Sequence, residues 1–213
     1  MEVFILNLIK ARKMLINYLQ ENFVPQNNGY PKQDDWRNIV THSFRVEKYT
    51  QEIANSLGLD RKDKKTVRVA AIFHDIGYCK DWKEHQIKGK EILNKLLDNV
   101  PNKETIVNLV AKHSHKRTKN DDNILLSILK DADILDKKGA MSILMFAEDY
   151  DFNQPDYFHD LSKDISNKDI EFCKKEKKLL NTEKAKEICE RKIKFIEDFN
   201  DQLKYETGNV ISG

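Results

Sequence analysis

The sequence predicts an all-α protein. Apolar residues recur mostly three and four apart, the spacing of one helix face, and no stretch alternates convincingly as a strand would. Only seven glycines and four prolines interrupt 213 residues, so helix breakers are scarce. Helices are expected near 3–21, 36–57, 63–76, 84–98, 103–115, 122–135, 138–148 and 182–204, with a further short one within 168–180. The stretch "EDYDFNQPDYFHDLSKD", 148–164, reads as the longest loop, a kind of segment that is often functional in a compact domain. There is no internal repeat and no low-complexity linker, so 1–213 is expected to form a single domain.

Each predicted element has its own pattern. The first, "MEVFILNLIKARKMLINYL", is apolar for a few residues before Lys10 and Arg12 interrupt it. It is too short to span a bilayer and lacks a small-residue cleavage pattern, so a soluble cytoplasmic protein is expected. In 36–57 the residues Ile39, His42, Val46, Tyr49 and Ile53 form one stripe, which turns His42 toward the core. In 63–76, Val67, Val69, Ala70, Ala71, Ile72, Phe73 and Ile76 cover nearly every direction, so this helix should be central. His85 aligns with Ile92 and Leu96, and Gly89 one turn on allows close approach of a neighbour or ligand. His113 lies on the stripe of Ile106 and Val110, whereas His115 points to solvent. Leu125, Ile128, Leu129, Ala132 and Leu135 form the apolar face of 122–135.

Composition excludes several classes. Lys and Arg number 37 against 35 Asp and Glu, and a net charge of +2 gives no bulk electrostatic drive toward nucleic acid. Cys79, Cys173 and Cys189 have no paired spacing, which argues against a disulfide framework or a cysteine-rich zinc site.

The chemistry gathers at the histidines. One inward histidine is ordinarily a core residue bonded to a backbone carbonyl. Several on different helices are harder to dismiss, because imidazole is the commonest side-chain ligand of divalent transition metals. In "VRVAAIFHDIGYCKDW" the pair His74–Asp75 closes the most apolar helix, with Gly77 expected as the residue just past its end. A carboxylate there meets the negative end of the helix dipole, and burying it unpaired would cost several kcal/mol. A cation resolves both penalties, whether it is an arginine, a lysine or a metal shared with His74. A further source of carboxylates is "DADILD", where Asp131, Asp133 and Asp136 fall within one and a half turns. Periodicity does not choose among them, and an exposed acidic patch is the plain alternative.

The ordered set of His42, His74–Asp75 and the "DADILD" run resembles the HD-domain superfamily of metal-dependent phosphohydrolases. A narrower likeness is to bacterial HD hydrolases in which "HDIG", a following lysine, a histidine–glycine pair and "HS" occur in order. Here these are residues 74–77, Lys80, His85 with Gly89, and His113–Ser114. The resemblance runs from about residue 20 to 205. It implies a helical bundle with an HD core over 20–150 and C-terminal helices over 165–205 packed on it. It also implies His42, His74, Asp75 and Asp133 as metal ligands, the "AD-x-L" context selecting Asp133.

The implied activity is hydrolysis of a nucleotide phosphoanhydride by a metal-activated water. Asp75 serves as ligand and catalytic group, and Arg45 and Lys80 meet the phosphates. His85 and His113 are candidates for substrate contact, ahead of a second metal held through them. The nitrogen and oxygen donors suit Mn²⁺, Fe²⁺, Co²⁺, Ni²⁺ or Zn²⁺ better than Mg²⁺, and the resemblance puts Mn²⁺ first. The implied partner is a small phosphorylated substrate, a nucleotide, with a homodimer admitted and no membrane. HD nucleotidases acting on monoesters often carry a glutamate soon after the pair; this chain has Gly77, Tyr78 and Cys79 there. A nucleotide phosphomonoesterase and a catalytically idle binding module are the alternatives.

Overall fold

The computed structural model describes residues 6–25, 35–115 and 123–208. The parts of two expected helices at 3–5 and 122 lie outside the described residues. The helices are α1 (Leu8–Asn22), α2 (Trp36–Ser56), α3 (Arg61–Phe73), α4 (His85–Leu96), α5 (Lys103–Lys112), α6 (Ile124–Asp136), α7 (Ala140–Ala147), α8 (Tyr157–Asp164), α9 (Ile170–Lys177) and α10 (Glu183–Thr207). No strand occurs among the described residues, as the sequence predicts. Five starts among the described residues are capped by short polar side chains that accept from orphan backbone N–H groups, Asn123 from Leu126 at α6 among them. Asn7 accepts from Lys10, Asp35 from Arg37, Asp60 from Asp63 and Thr182 from Ala185. No helix among the described residues is long and apolar enough to cross a membrane.

The chain divides into two compact units, residues 1–133 and 134–213, the boundary falling within α6. In the first, α3 is the central element and packs against α1, α2 and α5. Its whole second half, from Val67 through Phe73 apart from Arg68, is buried. On α2, buried Glu47 is held by the guanidinium groups of Arg12 and Arg68, the pairing that a buried carboxylate requires.

The end of α3 departs from expectation. The helix stops at Phe73, and the chain turns through His74 and Asp75 into a single 3₁₀ turn, Ile76–Cys79. Gly77 is not a left-handed cap: among the described glycines only Gly58 and Gly139 have positive φ. It is needed for close approach instead. A Cβ there would lie 1.9 Å from the carbonyl oxygen of His85 and 2.5 Å from the nitrogen of Gly89. A Cβ on Gly89 would come within 3.0 Å of Val110 Cγ1 on α5. The two glycines therefore bring the turn, α4 and α5 together.

In the second unit, α8 and α9 pack against α10. The expected loop at 148–164 is helical over its last eight residues, Tyr157–Asp164, and a π-helical turn, Ile165–Asp169, joins α8 to α9. Leu161, Ile165 and Ile170 anchor this stretch in the core. Acidic and aromatic residues mask that sparse periodicity in the sequence. Lys138 is buried and paired with Glu176, and Lys192 Nζ donates to the Lys138 carbonyl at 3.0 Å. Burial pushes the Lys192 ammonium down to about 8, Asp136 opposing and Lys138 reinforcing the shift.

Two outcomes follow from this packing. Gly77→Ala should destabilise the protein by about 2 kcal/mol or more, because its methyl meets backbone that cannot step aside; urea melts measure it. Lys192 releases its proton near pH 8 when folded but near pH 10.5 when unfolded. The unfolded chain thus binds more protons between those values, and this group makes stability rise with pH across the window. Stability of wild type relative to Lys192→Met should climb from pH 8 toward 10, and a flat difference would show that the group is not so perturbed.

Candidate metal centre

Three histidines are held in one manner. The Nδ1 atoms of His74, His85 and His113 lie 2.8, 2.9 and 2.7 Å from the carbonyl oxygens of Ala71, Trp82 and Val110, in each case three residues back. A carbonyl only accepts, so each Nδ1 carries the proton and each neutral ring presents a bare Nε2 lone pair. For His74 and His113, which follow the last residues of α3 and α5, the accepting carbonyl belongs to the final helical turn, where acceptors are otherwise orphaned. The backbone bond of a core histidine and the free donor of a ligand are thus met in the same side chain.

Those lone pairs converge. His42 Nε2 lies 3.1 Å from His74 Nε2 and 3.3 Å from both Asp75 Oδ2 and Asp133 Oδ1. His74 Nε2 is 3.3 Å from the same Asp75 oxygen and 3.8 Å from Asp133 Oδ1. On the other side of the carboxylate, Asp75 Oδ1 is 3.3 Å from His113 Nε2 and 3.6 Å from His85 Nε2, and those two nitrogens are 3.2 Å apart. Asp75 therefore faces two donor groups at once, one through each oxygen. Edge-to-face stacking of the His74 and His113 rings, with centroids 5.0 Å apart, joins the groups.

These spacings fit a divalent cation. Ligands about 2.1 Å from one ion stand about 3.0 Å apart at right angles and about 3.4 Å apart at the tetrahedral angle. Without a cation, bare nitrogens and carboxylate oxygens would repel across the same gaps. Burial disfavours the Asp75 carboxylate, yet the imidazoles of His74, His113 and His42 around it outweigh that cost and hold the carboxyl well below its usual range. Tyr78 stacks on His85 with centroids 4.3 Å apart; burial, then the charges of Asp75 and Asp133, push its hydroxyl up, so it stays protonated.

The residues expected as ligands, His42, His74, Asp75 and Asp133, come together from α2, the end of α3 and α6. His85 and His113, expected at the substrate, lie against Asp75 as a second donor group, and His113 also clusters with His74 and Asp133. Arg45 is half-buried on α2, and Lys80 is exposed just past the 3₁₀ turn. The acidic run is no exposed patch: Asp131 and Asp136 are 0% and 1% exposed, and only Asp133 joins the donors. His115 is exposed, as expected. Sequence reasoning missed the joining of the two groups through Asp75 and the stacking role of Tyr78. The inward stripes of His85 and His113 were the available signal for the first; nothing pointed to the second.

Residues 39–138 match the HD domain family. Ribonuclease Y of Mycoplasma mycoides is 29% identical over 107 residues, covering 49% of this chain but 24% of that protein. The chain thus spans about a quarter of the length of this curated relative. A predicted HD superfamily hydrolase from an uncultured Thermotogales bacterium has the same fold, with a TM-score of 0.65, 19% identity and coverage of 96% of this chain and 95% of that one. Bacillus subtilis YpgQ, solved in complex with ADP, superposes with a TM-score of 0.59 at 20% identity, covering 96% of this chain and 98% of the other.

Metal content tests the shared carboxylate. Asp75→Asn should weaken retention of divalent transition metal at both groups by about tenfold or more, whereas His42→Ala should lose metal from one. Elemental analysis after dialysis checks both, and unchanged content in Asp75→Asn would remove that residue from the ligand set.

Proposed function

We propose that this chain, whose residues 39–138 match the HD domain family, is a metal-dependent phosphohydrolase acting on a nucleotide, with His42, His74, Asp75 and Asp133 as metal ligands. The observation that carries this reading is the convergence of bare imidazole nitrogens on both oxygens of one buried carboxylate. Such a set suits Mn²⁺, Fe²⁺, Co²⁺, Ni²⁺ or Zn²⁺, and Mn²⁺ is proposed first. When bound, a divalent ion supplies positive charge against the phosphoryl oxygens and lowers the pKa of water to a range where hydroxide forms near neutrality.

The remaining roles belong to the chain. Asp75, kept ionised, holds the two donor groups in register and is the proposed catalytic carboxylate. The distances of His85 and His113 from it favour a second cation held there, in place of direct substrate contact. The backbone bonds of His74, His85 and His113 hold each ring with Nε2 aimed at the centre, so no ring has to reorient during turnover. Arg45 and Lys80 are the proposed phosphate contacts. The ADP held by a protein of the same fold favours a nucleotide. The missing glutamate after the pair favours a phosphoanhydride over a monoester as the bond cut.

A panel of nucleoside mono-, di- and triphosphates with Mn²⁺, scored for pyrophosphate against orthophosphate, tests the proposal. Pyrophosphate from triphosphates is expected. Orthophosphate from monophosphates would indicate the monoesterase, and silence across the panel an idle binding module. Asp75→Ala should lower turnover by about a thousandfold or more. Full activity in thoroughly metal-free protein would defeat the mechanism.

A further inference from the structure

The turn that carries Asp75 ends at Lys80, and there a cleft of about 520 Å³ begins, lined by Tyr18 of α1 and by one face of α4. None of its lining residues is a donor of the histidine–aspartate centre, and Lys80 alone is also a proposed phosphate contact there. Its α4 wall is a single stripe in which Lys88, Glu91, Ile92, Lys95 and Leu96 fall at helical spacing. Three lysines against one glutamate make the lining cationic, although the whole chain is near neutrality. We infer that this cleft between α1 and α4 is a binding site for a nucleoside phosphate, distinct from the metal centre.

Charge, size and shape each narrow the ligand. The volume is that of a pocket for a compact organic molecule, and too large for a lone phosphate. Lys80 and Lys88 form one cationic end, because Gly77, three residues before Lys80, presses against the first turn of α4. Phosphates belong at that end. Lys95 lies two turns further along α4, about 10 Å down the axis, beyond the reach of a diphosphate gripped at Lys88. Beside these lysines Tyr18, Ile92 and Leu96 offer an apolar surface for a planar ring. Burial, then the Cys79 thiol, push the Tyr18 hydroxyl upward, so it remains a neutral donor beside the ring. Glu91 pairs with Lys88 at 3.2 Å and adds a carboxylate that can accept from ribose hydroxyls. Lys95, which has no ion pair or hydrogen bond among the described residues, supplies a donor to acceptors on the ring edge.

The test titrates the full-length, metal-loaded protein with adenosine 5′-(α,β-methylene)diphosphate, whose bridging carbon resists anhydride hydrolysis. Lys88→Glu should weaken binding by about tenfold or more, since it removes a charge-assisted contact and adds a repulsion, while metal content stays at the wild-type level. Amide exchange should show ligand protection in 11–20 and 88–96. Lys88→Ala, free of the new repulsion with Glu91, repeats the test if the glutamate variant melts early. Wild-type affinity in both variants, or protection confined to segments around His42, His74 and His113, would overturn the assignment. So would inorganic pyrophosphate binding as tightly as the nucleotide analogue, or a short single-stranded RNA binding more tightly than it. Metal loading and turnover of Asp75→Ala are read separately, so failure here is distinguishable from failure of the proposed hydrolysis.

Discussion

A single carboxylate organises the first unit. Asp75 turns one oxygen toward His42 and His74 and the other toward His85 and His113, and the backbone bonds of His74, His85 and His113 leave their neutral rings with lone pairs on the facing nitrogens. Like-signed electron density does not gather inside a protein without a positive partner, because desolvation and repulsion act together. The demand for a cation is therefore written into the geometry. It explains why so many polar atoms tolerate burial beside Val67, Phe73 and Ile76.

The surrounding packing delivers those atoms. The first unit uses the almost fully apolar second half of α3 as its core, which forces the residues that follow Phe73 into the interior. Gly77 then lets the 3₁₀ turn press against the first turn of α4, where His85 sits, and Gly89 lets α4 approach Val110 and hence His113. Two missing side chains thus set the spacing between elements that each contribute one donor. The same closeness positions Lys80 at the mouth of the α1–α4 cleft, so the chemistry of the centre and the cationic lining of the cleft meet at one turn.

Much of this is legible from residues alone, and what is not has identifiable causes. Helices α2, α3, α5 and α6 announce themselves through strong apolar stripes, and the histidines on those stripes point inward because periodicity sets direction. The end of α3 was misread because Ile76 continues the apolar pattern past the point where the helix stops. A glycine after such a run looks like a left-handed cap, while the actual constraint, a neighbouring backbone 1.9 Å from its absent Cβ, involves residues distant on the helix ladder. Helix α8 was hidden for the opposite reason: its buried positions are few, and its acidic and aromatic residues have the composition of a loop. Among Asp131, Asp133 and Asp136, burial could not discriminate, since all three leave the surface in whole or large part; only contact with the histidines singles out Asp133.

The sequence by itself determined the helical class, the inward direction of His42, His85 and His113, and the need for a positive partner at Asp75. These follow from local rules of spacing, dipole and desolvation, which act within one element. Tertiary structure alone decided that Asp75 would serve two donor groups, that His85 and His113 would stand 3.2 Å apart, and that three lysines would line one cleft. Those outcomes depend on distances between helices. Interhelical distances are set by how side chains and missing side chains interlock, which no pattern along a single helix contains.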